Sequence, residues 1–209
     1  MIRILLCSLL FLTLLETEGG ESRIFSAGNG SVIRVEEVAF RLCHWGRNWK
    51  NGTVQTRANP AFPGEGGKIR QGVFRVHNGE FRCTESVDLS RPGEARLNLE
   101  LSSDGDGIET ESLVLSADLP YTLLRRRPIL VNGKEFFFGT GPEFSPAQRI
   151  WAKPNRLNTI ELPLNGGKLL LSGHFSALLQ DGRKYRKQSC SLRILLSRKY
   201  GKLKQARLS

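Results

Sequence analysis

The stretch from Asn158 to Ser197, NTIELPLNGGKLLLSGHFSALLQDGRKYRKQSCSLRILLS, restricts the possible folds of this chain more than any other. From Leu169 to Leu179 every odd position is apolar or glycine (Leu169, Leu171, Gly173, Phe175, Ala177, Leu179). That two-residue period belongs to a strand with one face in a core. Asp181-Gly182 follows as a turn signal, and a two-residue type I′ corner there sets Leu169 opposite Ile194, Leu171 opposite Leu192 and Gly173 opposite Cys190. The second strand agrees in parity through Cys190, Leu192, Ile194 and Leu196. Nearer the turn the same register sets Phe175 against Gln188, Ala177 against Arg186 and Leu179 against Lys184. Either a bulge intervenes, or the tip projects past the core with basic stems lying over apolar residues.

The rest of the chain carries the same signature. SVIRVEEVAFRL reads as a strand with Val38, Phe40 and Leu42 on one face, and EARLNLELS as another with Ala95, Leu97, Leu99 and Leu101 inward. Hairpins turn at Asn78-Gly79 and Asn132-Gly133. The Gly/Pro/Asn-rich run from Cys43 to Lys68 reads as one long loop with a short strand near Thr53 to Thr56, and residues 140–156 read as irregular. No segment beyond the N-terminus sustains a helical period. The fold expected is all-β, an antiparallel sandwich of jelly-roll type, with a closed barrel as the alternative.

The first residues, MIRILLCSLLFLTLLETEGGES, place Arg3 before an apolar run from Ile4 to Leu15, the pattern of a secretory signal peptide. That run falls short of the roughly 18 residues a membrane span needs. The division expected is a signal peptide over 1–20, cut near Gly19 or Gly20, a linker over 21–30, a sandwich over 31–197 and a basic C-terminal tail over 198–209. A secreted, periplasmic or cell-envelope location follows. Without the leader three cysteines remain, Cys43, Cys83 and Cys190, enough for one disulfide at most. The formal charge of +11 is a property of the end: from Arg183 onward there are ten basic residues and no acidic one, whereas 21 basic face 20 acidic before it. Such an end suits anionic polymers or surfaces, or is a solvated tail.

No nucleophile elbow, HExxH, CxxC pair or phosphate-binding loop occurs, so no catalytic residue is assigned. Of the three histidines, His44 beside Trp45 is the best placed for chemistry. Asp104, Asp106, Glu109 and Glu111 form the one dense acidic cluster; on a Gly-rich turn, Asp104, Asp106 and Glu109 are candidate calcium ligands, or a solvated turn. The irregular segments hold Trp45, Arg47, Asn48 and Trp49 in one case and Arg149 and Trp151 in the other. Flat rings edged by amide and cationic donors hold sugars, whose CH faces stack while their hydroxyls take the polar contacts, and the same set stacks bases; the alternative is that these tryptophans cap the ends of the sandwich core.

The succession of strands with NG and DG corners, ending in the alternating Ser/Leu/Arg strand SCSLRILLS, resembles the non-catalytic β-sandwich modules of secreted bacterial carbohydrate-active enzymes over about residues 31–197. The resemblance implies an accessory or carbohydrate-binding role and brings no catalytic residues. The leading expectation is therefore a secreted non-enzymatic sandwich that binds glycan or polysaccharide. The alternatives are a binder of anionic polymers through the basic end, an enzyme using the acidic loop, and a structural envelope or adhesion domain.

Overall fold

The computed structural model describes residues 10–16, 24–25, 32–58, 62–64, 67–88, 94–139, 141–142, 148–153, 155–197 and 200–208. Its strands, in chain order, are β1 (Leu10–Glu16), β2 (Ile24–Phe25), β3 (Ile33–Val35), β4 (Val38–Trp45), β5 (Thr53–Ala58), β6 (Phe62–Gly64), β7 (Gly67–Val76), β8 (Gly79–Asp88), β9 (Glu94–Ser102) and β10 (Ile108–Thr110). They continue with β11 (Ser112–Pro120), β12 (Ile129–Val131), β13 (Lys134–Phe136), β14 (Gln148–Ala152), β15 (Asn158–Leu164), β16 (Gly167–Gly173), β17 (Ser176–Asp181), β18 (Ser189–Ser197), β19 (Gly201–Leu203) and β20 (Gln205–Leu208). One helical turn, α1 (Tyr121–Leu124), joins β11 to β12.

All pairings are antiparallel. The first sheet runs β13-β12-β15-β16-β1-β9-β8-β7-β5, with β20 beside β9 and β6 beside β7; the second runs β14-β17-β18-β11-β4-β3-β2. Their inner faces form one apolar cluster, with Phe81, Leu97, Leu99, Leu169 and Leu171 from the first sheet and Phe40, Leu115, Ala117, Leu192 and Ile194 from the second. Each buried aliphatic or aromatic side chain contributes about 1.5–3 kcal/mol. The fold is thus the all-β sandwich that the alternation predicts.

The register of the closing segment differs from expectation. The alternating run from Leu169 to Leu179 is two strands in two sheets. β16 pairs with β15 about an Asn165-Gly166 corner, setting Leu169 against Leu162 and Leu171 against Ile160. After Gly173 (φ 158°) the chain turns into the second sheet, where Ala177 faces Ile194, Leu179 faces Leu192 and Asp181 faces Cys190. Parity survives because both strands bury their odd positions. The corner is held by the wholly buried Asn158, whose Nδ2 lies 2.9 Å from the Phe175 carbonyl, 2.6 Å from that of Lys153 and 3.1 Å from that of Arg156, while its Oδ1 accepts from Asn132 Nδ2 at 3.1 Å. The Phe175 carbonyl is one that a chain leaving its sheet cannot satisfy within a ladder, and the Lys153 and Arg156 carbonyls lie in the connection that enters β15.

Asp181-Gly182 is likewise no two-residue corner. Asp181, wholly buried, caps a short 3-10 turn over Gly182–Tyr185, accepting from the Arg183 amide at 3.1 Å and from the Tyr121 hydroxyl at 2.6 Å, and pairing with the Arg183 guanidinium at 2.5 Å. A Cβ on Gly182 would lie 2.1 Å from the Ser189 carbonyl oxygen, so the turn closes only on glycine.

Other expectations change too. The presumed loop from Cys43 to Lys68 contains the end of β4, all of β5 and β6 and the start of β7, and the segment over 140–156 contains β14. SVIRVEEVAFRL is the hairpin β3–β4 rather than a single strand, with Val38, Phe40 and Leu42 buried as expected. The β7–β8 corner falls on His77 and Asn78, one residue early, and the β12–β13 corner on Asn132 and Gly133. Of the segment read as a leader, Leu10–Glu16 is β1, lying between β16 and β9; residues 1–9 and 17–20 and the cleavage position lie outside the described residues. The basic end is no free tail. β19 pairs with β10 and β20 with β9, burying Ala206 and Leu208, while Lys202 meets Asp106 and Arg207 meets Glu100, each at 3.3 Å. Cys43, Cys83 and Cys190 are free thiols, and burial pushes the Cys83 thiol up to about 12.

One polar pair sits on the core side of the first sheet. Glu85 and Arg70 face each other across β7 and β8, both buried, and Glu85 Oε1 has no hydrogen-bond partner among the described residues. Burial raises the Glu85 carboxyl from 4.5 to about 7, Arg70 opposing the rise.

Two outcomes follow. Asn158→Ala should cost about 2–4 kcal/mol in urea unfolding, the buried Phe175 carbonyl losing its donor at ~1–3 kcal/mol and the part-buried Lys153 and Arg156 carbonyls adding less; a loss below about 1 kcal/mol would mean that the corner stands without it. Because Glu85 holds its proton more tightly folded than unfolded, its stabilising contribution is complete below pH 4.5 and lost as pH rises to about 7. The stability difference between parent and Glu85→Gln should therefore move against the parent across that window and level off above it, whereas a pH-independent difference would contradict the burial of the carboxyl.

Candidate functional site

β4 and β5 connect through a tight loop. Trp45 and Asn51 form an isolated bridge, the Gly46 amide donates to the Lys50 carbonyl at 3.0 Å, and the Gly52 amide donates to the His44 carbonyl at 2.9 Å. A Cβ at Gly52 would lie 2.3 Å from His44 Nδ1, so only glycine allows the strands to converge here. The six residues from Gly46 to Asn51 then have little length in which to reverse. Asn48 and Trp49 both adopt φ 59°, the left-handed region that a bulky residue enters only at a cost of about 1–3 kcal/mol. What holds Trp49 there is Glu111, whose Oε2 accepts the Trp49 backbone N–H at 2.6 Å, while the Glu111 amide donates to the Trp45 carbonyl at 2.8 Å. The consequence is an indole ring 57% exposed on a loop pinned at both ends.

Beside this loop lies the outer face of the second sheet. Arg193 projects from β18 and its guanidinium stands 4.6 Å from the centre of the Trp45 ring, a cation–π contact. Arg193 Nη2 donates to Gln180 Oε1 at 2.5 Å, and its buried Nε has no partner among the described residues. Burial lowers its pKa, with Cys43, Asp118 and Tyr185 opposing, yet an arginine remains a cation throughout the accessible pH range. The tip of the β17–β18 hairpin completes the enclosure with Tyr185, half exposed, and Lys187. Trp45, Trp49, Asn51, Gln180, Tyr185, Lys187 and Arg193 together line a cleft of about 490 Å³.

Of the residues expected to bind, Trp45 and Trp49 do meet in one cleft, although Trp45 is covered on one face by Arg193 and serves as its floor. Arg47 and Asn48 are exposed on the same turn without lining the cleft. Arg149 and Trp151 lie on edge strand β14, which pairs with β17 and sets Gln148 opposite Gln180; their side chains lie outside the described residues. Asn51, Gln180, Tyr185, Lys187 and Arg193 were missed. The outward parity of Arg193 and Gln180 on their strands was readable, but their distance from the tryptophan loop was not.

The other candidates resolve differently. His44 is wholly buried, its Nε2 3.1 Å from Thr110 Oγ1, and burial lowers its pKa; it fixes the loop base rather than facing solvent. Asp104, Asp106 and Glu109 do not converge as calcium ligands. Asp104 pairs with Arg82, Asp106 with Lys202 and Glu111 with the Trp49 amide, and among the described residues no three acidic, histidine or cysteine side chains are grouped for a metal. Asp104, Asp106 and Glu111 are drawn apart because each has a cation or amide of its own nearby. Among the described residues no helix is long and apolar enough to cross a membrane.

The chain matches no family model, no curated protein and no solved structure. Two further clefts, of about 330 Å³ beside Arg126 and Arg127 and about 560 Å³ beside Cys83, contain no aromatic ring, which sets the tryptophan cleft apart.

Proposed function

We propose that this protein is a secreted, non-enzymatic carbohydrate-binding domain that serves polysaccharide processing through the cleft between the tryptophan loop and the closing hairpin. The observation that carries this reading is the strained, exposed Trp49. A protein rarely spends conformational energy to keep an apolar ring in water unless something stacks on it, and strain of this kind gathers at binding sites. Tyr185 on the opposite rim supplies a second exposed ring, and Asn51 and Gln180 supply amides matched to hydroxyl groups. A sugar lying between the rims meets CH-stacking surfaces at both ends and polar groups along the floor.

Binding to a panel of soluble polysaccharides, read as retardation in affinity electrophoresis, tests the proposal. Trp49→Ala and Tyr185→Ala should each weaken retention roughly two- to tenfold, the range that ~0.5–1.5 kcal/mol per aromatic contact implies. Glu111→Ala should weaken it as well by releasing the Trp49 loop, with the fold intact by circular dichroism. Absence of retention on every polysaccharide, or a Trp49→Ala Tyr185→Ala variant that binds like the parent, would sink the reading.

A further inference from the structure

Resting on that carbohydrate reading, we infer that the cleft selects acidic glycans, with a carboxylate or sulfate of the sugar chain received by Arg193 and Lys187 while the ring stacks on Trp49 or Tyr185. The two cations lie on the cleft wall and floor, and no carboxylate is among its lining residues. Of the acids around it, Glu111 accepts the Trp49 amide and Asp181 is bound to Arg183 and Tyr121, while Asp118 accepts from the Ser191 hydroxyl and acts on Arg193 through charge without lining the cleft. Further cations stand on both rims and are exposed, Arg47 and Lys50 on the loop, Lys184 and Arg186 on the hairpin tip.

Arg193 is the selecting group. Its long side chain is held in one place by Trp45 on a ring face and by Gln180 at Nη2, so the guanidinium needs no ordering when a ligand arrives. Its Nε is buried and unpartnered among the described residues, so a ligand's contact falls to the terminal nitrogens of the guanidinium rather than to that atom. A planar guanidinium presents parallel donors that fit a carboxylate or a sulfate, and a partly desolvated position strengthens the contact. The cationic character read at the end of the chain and the aromatic character read in the first loop therefore meet at a single place.

Matched pairs of polymers separate charge from backbone: polygalacturonate against its methyl ester for carboxylate, and dextran sulfate against dextran for sulfate. The parent should bind the acidic member of at least one pair at least tenfold more tightly than the neutral member, and the pair concerned identifies the anion. Arg193→Gln should remove most of that preference, Lys187→Gln part of it, and Arg193→Lys, which keeps the charge but not the planar fork, should fall between Arg193→Gln and the parent. Trp49→Ala should weaken both members of the pair alike. Lys187 is exposed, so its variant reports on selectivity even if replacing Arg193 disturbs the Trp45 floor. Equal retention of acidic and neutral members overturns the selectivity and leaves the carbohydrate reading standing. Retention of polyanions that persists undiminished in Trp49→Ala Tyr185→Ala is adsorption to a basic surface and overturns the selectivity as a property of this cleft. Retention of no polymer overturns both.

Discussion

The corner from Gly173 to Phe175 is the constraint on which the arrangement depends. There the chain gives up its place in one sheet and enters the other, and the Phe175 carbonyl left over at the corner is met by one buried side chain, Asn158, which also ties down the segment entering β15. Had the strand continued in its first sheet, the closing hairpin would have stayed beside β15. Instead β17 pairs with β18, β18 with β11 and β11 with β4, and the outward residues of the last strands come up beside the end of β4. Trp45 ends β4, and Arg193 stands over it. The cleft is a consequence of the sheet change.

Several features of this fold could be read from residue pattern. The odd parity from Leu169 to Leu179 marks the buried face correctly in both sheets, since a corner of even length preserves alternation. Parity does not reveal which strand lies opposite. A two-residue turn at Asp181-Gly182 was a local inference from a common signal, but Asp181 is drawn into the core by Tyr121 and Arg183, partners distant in the sheet or reachable only once the turn has formed. Ala177 opposite Arg186 and Leu179 opposite Lys184 are poor pairs, and the longer connection through the 3-10 turn replaces them with Ala177 opposite Ile194 and Leu179 opposite Leu192. The first loop was overestimated for a related reason, because Asn and Gly residues that read as irregular are the tight connection at Gly46–Gly52, and β5 beyond it has little apolar alternation.

Charge was legible as a total and misleading as a location. The basic end was expected to be solvated, yet Leu203, Ala206 and Leu208 alternate well enough to bring β19 and β20 into the sheets, and Lys202 and Arg207 then find acidic partners. The cations that keep an open aspect are those of the hairpin tip and of β18. The acidic turn that suggested calcium takes part in this pairing through Asp106, and another of its members, Glu111, acts on the binding loop by holding the amide of Trp49. Composition cannot separate such roles, since the same carboxylates would serve a metal, a salt bridge or a backbone cap.

The account joins the tryptophan loop and the last hairpin into one binding surface, and heteronuclear NMR on the protein tests that union most directly. The indole Nε1–H signals of Trp45 and Trp49 and the Nε–H signal of Arg193 can be followed while a retained glycan is titrated in. If the account is right, Trp49 and Arg193 shift together along one saturating isotherm, because residues from the first loop and the closing strand meet the same ligand. A glycan that binds while both signals stay in place, or that moves Trp49 without Arg193, would contradict it.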